Sequence, residues 1–185
     1  MATVRKTPLG WNIDSFTPVK WIIPGTGRHF NLHPVWGFIA ACYIYWYDRY
    51  VEKINPVGNE PWDEWGHVKR KNRNANSWSE HGGCAWDVNA VRHPNGVDPR
   101  KTFTAAQLRR MRNKRAHWNE VAGTEIIRLG IDYQRTPDGM HGELFYKPVA
   151  LKRLAVRLAK TPAGRAVLKA NPTQAKVLAK KGIKP

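Results

Sequence analysis

Ser79-Glu80-His81-Gly82-Gly83-Cys84-Ala85-Trp86-Asp87-Val88-Asn89 is the stretch that decides how this chain is read. It places a histidine and an aspartate in a glycine-containing segment with five residues between them. A catalytic zinc takes three protein ligands from His and carboxylate and keeps a fourth position open. One more histidine would complete such a set. Among the others, His141 stands out, because Asp138 lies three residues before it and Glu143 two after. A carboxylate beside a metal is what a hydrolase needs to take a proton from water. On spacing alone the same residues read more readily as a surface His with an Asp that caps a turn.

Outward from this stretch, the chain is 185 residues long, enough for one domain with a core. Its net charge of +17 calls for an anionic partner such as nucleic acid, a membrane surface or a bacterial wall polymer. Residues 1–10 carry basic groups with no apolar run after them, so they do not read as a secretory signal peptide. The longest apolar run, residues 35–47, is thirteen residues, short of the roughly 20 that span a bilayer, and predicts a buried helix. With Cys42 and Cys84 alone there is neither a disulfide framework nor a CxxC zinc pattern. Cys84 reads as a packing residue, although it could serve as a ligand.

Residues 1–33, with Pro8, Pro18, Pro24 and the turn at 24–27, predict an extended lead-in holding one short strand at 19–23. Pro34 opens a predicted helix over 34–54, with Trp36, Ile39, Tyr43, Tyr47 and Tyr50 at helical spacing. Residues 55–80 read as loop. Thr102 or Thr104 can cap a second helix to about residue 120, and 125–129 and 144–147 read as strands. From residue 148 onward there are ten Lys or Arg and no Asp or Glu. Leu151, Leu154, Ala155 and Leu158 form an apolar stripe there, with Pro162 and Pro172 opening two further short helices. The expected division is thus a domain at 1–147 and a basic helical tail at 148–185.

The segment resembles the signature S-x-H-x-x-G-x-A-x-D of the zinc D-alanyl-D-alanine peptidase family, which includes vancomycin-resistance dipeptidases and phage endolysins. Ser79, His81, Gly83, Ala85 and Asp87 match its residue types in order. Residues 88–94 are similar to the continuation "DLNATRHP" of phage members, 138–144 to the second motif D/E-x-x-H with a following acid, and 127–133 to the "RWGGDY" that precedes it. The similarity covers about residues 55–146, and residues 161–172 resemble the tail of actinobacterial-phage members. One departure stands out: the family has six residues between the first His and the Asp, so one is missing from the turn here. Gly82 and Gly83 offer backbone freedom to absorb it.

The resemblance implies an α+β fold of the hedgehog/DD-peptidase type, with a small antiparallel sheet carrying the ligands and the helices at 34–54 and 105–120 behind it. It implies that His81, Asp87 and His141 ligate Zn2+, that Asp138 is the general base, and that Arg70, or failing it Arg73, stabilises the oxyanion. Ser79 would hydrogen-bond around the site or the substrate. The expected activity is hydrolysis of an amide in peptidoglycan by a phage protein, in wall penetration as a virion tail component or in lysis. The basic tail is expected to anchor the enzyme to the wall or to other tail proteins. Two other readings remain at this point: a virion protein that keeps the peptidase fold with weak or no activity, and a basic nucleic-acid-binding protein. The last leaves both metal motifs without a purpose. His93 and His67 are expected in turn or surface roles, and Trp78 and Trp86 in packing.

Overall fold

Helix α1 (Gly37–Tyr50) is apolar around most of its circumference, and ten of its fourteen residues are buried. A helix with no polar face has to be surrounded, and the remaining elements pack about it. The computed structural model describes residues 4–54, 63–72 and 76–185. Helix α1 starts three residues later than Pro34 because His33 organises the approach: its Nδ1 accepts the backbone N–H of Val35 and of Trp36, at 3.0 and 3.2 Å. These donors would otherwise go unpaired at a helix start, where the residue at the N-cap, Trp36, offers no capping side chain.

The lead-in holds two strands where one is expected. β1 (Val19–Ile22) and β2 (His29–Leu32) form an antiparallel hairpin that buries Trp21, Phe30 and Leu32. The turn between them uses Gly25 and Gly27 at φ 79° and 70°, a region that penalises any side chain. Gly37 then lets the first turn of α1 lie on the Trp21 ring, since a Cβ there would sit 2.5 Å from Trp21 Nε1.

A second sheet is made of β3 (Ala85–Asp87), β4 (Ile127–Leu129) and β5 (His141–Leu144), all antiparallel in the order β3-β5-β4. The central strand lies three residues before the expected 144–147. Beyond Leu144 the chain leaves the sheet, and Tyr146 N–H donates to Leu9 O of the lead-in at 3.0 Å. His-Gly-Glu does not read as a strand because its polar face lines a cleft and its glycine makes room for Trp86. A Cβ on Gly142 would meet that indole at 2.5 Å.

Helix α2 (Ala105–Ala122) is capped by Thr104, not Thr102: Thr104 Oγ1 accepts Gln107 N–H and the Gln107 side chain accepts Thr104 N–H, a reciprocal capping box. Helices α3 (Pro148–Ala159), α4 (Pro162–Ala170) and α5 (Pro172–Lys180) each begin with proline in the first turn, where its missing N–H is not needed. The stripe of Leu151, Leu154, Ala155 and Leu158 is buried in the same core as α1 and α2. Asn171 fastens this basic segment to β1, its Oδ1 accepting Ile22 N–H at 2.7 Å and its Nδ2 donating to Ile22 O at 2.9 Å. The fold is α+β, with two small antiparallel sheets and five helices among the described residues. No helix among the described residues is long and apolar enough to cross a membrane.

Candidate metal centre

Alternation along β5 puts His141 and Glu143 on one face of the sheet and Gly142 and Leu144 on the other. The register pairs Asp87 with His141, Ala85 with Glu143, and Arg128 with Glu143. One face therefore carries Asp87, His141, Glu143 and Arg128 together, while Trp86, Leu129 and Leu144 of the opposite face enter the core. His141 Nδ1 lies 2.8 Å from Asp87 Oδ1, and His81 Nε2 lies 3.2 Å from Asp87 Oδ2. His81, Asp87 and His141 are buried, offer ligand atoms within 4.8 Å of one another, and can hold a metal ion.

His81 reaches this group from a single 3-10 turn, Glu80–Gly82. Ser79 Oγ caps the turn by accepting His81 N–H at 3.4 Å. Gly83 adopts φ −111°, ψ −112°, outside both the helical and the extended regions. The two glycines are also needed for space: a Cβ on Gly82 would stand 2.8 Å from Ile13 Cγ2, and one on Gly83 would stand 2.3 Å from Trp11 Cγ. Trp11 is itself pinned, since its Nε1 donates to Leu144 O at 2.6 Å. The lead-in thus props the turn from below, and the five-residue spacing still delivers His81 to Asp87.

The ring of His81 is oriented by a backbone carbonyl. Its Nδ1 lies 2.5 Å from Gly66 O, an acceptor only, so Nδ1 donates there and Nε2 is the ring atom that faces Asp87. Gly66 is held in place by its neighbours. Trp65 pairs with Asp87, and the N–H groups of His67 and Val68 donate to Asn31 O and His81 O at 2.6 and 2.9 Å.

His141 is oriented from the other side by Glu143, whose Oε2 is 3.5 Å from Nε2, an ion-pair distance. Glu143 is fully buried and accepts from Arg128 Nε at 2.6 Å and from the Tyr133 hydroxyl. Burial alone would lower the His141 pKa, but the Asp87 and Glu143 carboxylates outweigh it and raise it to about 10. Burial would likewise raise Asp87, yet His81 and His141 hold it well below the usual carboxylate range. This is the electrostatics of a cation site: a metal ion among the three would take the place of the His141 Nδ1 proton.

Asp138 lies with the three ligand residues along a cleft of about 670 Å³, together with Arg70 and Ser79. Its Oδ2 accepts from Asn95 Nδ2 at 2.8 Å, whereas its buried Oδ1 has no hydrogen-bond partner among the described residues. Burial raises its pKa against the opposing pull of His141. Arg70 is exposed at the junction of this cleft with a second cavity of about 780 Å³, which also reaches His81 and Asp87 and is lined by His29 and His67. Arg73 lies outside the described residues.

Arg128, Tyr133 and the Gly66 carbonyl support the site without having been assigned a role from the sequence, and Glu143, read there as a carboxylate beside the metal, instead backs the His141 ring. Residues 127–133 were legible as a motif, but only the strand pairing shows that Arg128 and Tyr133 converge on Glu143. Conversely, His93 is a packing residue, stacked on Phe103 at 3.6 Å and paired with Glu52 at 3.0 Å. Cys84 is buried beneath the sheet with its thiol pushed up to about 12 by burial, and Trp86 is in the core. Comparison of the chain with family models, curated proteins and solved structures finds no match.

Proposed function

We propose that this protein is a zinc-dependent peptidoglycan peptidase of a bacteriophage, hydrolysing an amide of the stem peptide or cross-link during wall penetration or lysis, on a hedgehog/DD-peptidase-like scaffold. The observation that carries this reading is the convergence of His81, Asp87 and His141 in one buried group beside a cleft that also presents Asp138 and Arg70. The donor set of two imidazoles and one carboxylate suits zinc, with a supporting acceptor behind each imidazole. Zinc held there would supply Lewis acidity, polarising the scissile carbonyl and acidifying water.

The chain's own residues account for the remaining steps. The free Oδ1 of Asp138 takes a proton from the attacking water, and a carboxyl raised by burial is better matched to that task than an ordinary one. The same carboxyl then returns the proton to the departing amine as the C–N bond breaks, leaving a carboxylate and an amine. Arg70 brings a guanidinium to the mouth of the cleft, where it can face negative charge developing on the carbonyl oxygen. Ser79 shapes the turn that carries His81 and takes no part in bond making.

The test combines composition with turnover. Protein purified without chelator should contain about one zinc per chain, and Asp138→Asn should keep that zinc while slowing hydrolysis of purified peptidoglycan by about 100-fold to 10,000-fold. Protein free of transition metal, or an Asp138→Asn variant with undiminished activity, would refute the assignment.

A further inference from the structure

On the molecule's helical side, away from the metal group, α1, α2, α3 and the start of α4 enclose a groove of about 610 Å³. Its floor is apolar, formed by Cys42, Trp118, Leu154 and Leu158, and its walls bear Trp46, Tyr50, Lys114, His117, Arg157 and Lys160. Among the described residues, no Asp or Glu lines it. The groove continues over Trp46, Tyr50 and Lys114 into a second depression of about 580 Å³ that adds Arg49 and Arg110, again with no acidic lining.

The arrangement differs from an ordinary solvated basic face in three respects. It is concave, and ligand sites are concave. It exposes aromatic surface at its edge, with Tyr50 56 % exposed and stacked against Trp46 at 6.2 Å between centroids. Lys114 is half-buried with its ammonium over two indole rings, 4.9 Å from Trp46 and 5.9 Å from Trp118, and has no carboxylate partner among the described residues. A cation so placed has lost much of its water and gains from a negative group brought to it.

From this geometry we infer that the groove is a second binding site, for an acidic glycan whose ring faces lie on Trp46 and Tyr50 and whose carboxylates or phosphates meet Lys114, Arg157 and Lys160. Aromatic rings present an apolar face to the C–H groups of a sugar, and the cations supply the charge match. The site is independent of the proposed hydrolysis, because none of its residues touches the metal group.

The experiment uses the full chain and follows tryptophan emission as polygalacturonate, neutral dextran, oligo(dT) or poly-glutamate is added at fixed ionic strength. Polygalacturonate should perturb the emission and bind at least tenfold more tightly than each of the other three. Replacing Lys114, Arg157 and Lys160 together by Gln should weaken that binding about tenfold or more, as should Tyr50→Ala. An equal loss of charge elsewhere, Lys169, Lys176 and Lys180 to Gln, should change it less than twofold. All variants should retain the wild-type far-ultraviolet circular dichroism and metal content. Equal weakening by the two triple variants would reduce the effect to net charge and overturn the site. Tighter binding of oligo(dT) or poly-glutamate would overturn the choice of ligand.

Discussion

Glu143→Gln isolates what the buried carboxylate does for the metal group. Glu143 is fully buried on the face of β5 that carries His141, with Arg128 Nε at 2.6 Å, the Tyr133 hydroxyl in contact and His141 Nε2 at 3.5 Å. Glutamine preserves the volume and one carbonyl acceptor, so Arg128 and Tyr133 keep a weaker partner. It removes the charge, and its amide N–H2, if turned to His141, sets donor against donor. Loss of such a supporting partner costs about 10-fold to 100-fold in metal affinity, equivalent to about 1.4–2.8 kcal/mol. The effect on folding should be smaller than the roughly 3–5 kcal/mol of a broken buried pair, because the Arg128 side chain is 39 % exposed and water can solvate it. The assay is zinc competition against a fluorescent chelator, run beside thermal melts of the metal-free protein. Zinc affinity unchanged within twofold would refute the positioning role of Glu143. A variant that loses structure without zinc but recovers full affinity with it would assign the residue to folding alone.

Three further outcomes are expected. Gly83→Ala drives a methyl into the indole of Trp11, which cannot retreat from its bond to Leu144 O, so denaturant unfolding should show a loss of about 1–3 kcal/mol; an unchanged midpoint would mean the turn is not held by Trp11. Truncation after Lys147 strips Leu151, Leu154 and Leu158 from the core at about 1.5–3 kcal/mol each. The sum is comparable to the roughly 5–15 kcal/mol stability of a whole domain, so the shortened protein should lack a cooperative melt, and a sharp transition would refute this. His33 is held down to about pKa 4 by burial and by the charge of His67, from an ordinary 6.5. Its neutral form is therefore favoured by folding, and stability present above pH 6.5 should fall as pH drops toward 4, because the unfolded chain takes up the proton first. In His33→Gln that part of the pH dependence should vanish from urea unfolding curves measured at pH 7 and pH 4.5.

The sequence alone determined the local features. The apolar run at 35–47 reads as a buried helix because thirteen residues exceed the roughly four to eight of a usual buried strand. Pro162 and Pro172 mark helix starts, where a missing N–H is not needed, and of the two caps offered for the second helix, Thr102 and Thr104, the structure uses Thr104. His81, Asp87 and His141 were legible as a set through the resemblance of the motifs around them, not through spacing alone. What only the tertiary structure decided is how distant segments meet. His141-Gly142-Glu143-Leu144 does not look like a strand, because β propensity reflects packing against neighbours, and these neighbours are 54 residues away at Asp87 and 15 away at Arg128. The carbonyl of Gly66 behind His81 and the indole of Trp11 beneath Gly83 are likewise partners from other segments, chosen by shape and hydrogen bonding in the fold. The last segment illustrates the same division: its charge was plain from composition, but an apolar stripe on one helix does not reveal what will cover it, and only the packed structure places Leu151, Leu154 and Leu158 in the same core as α1 and α2.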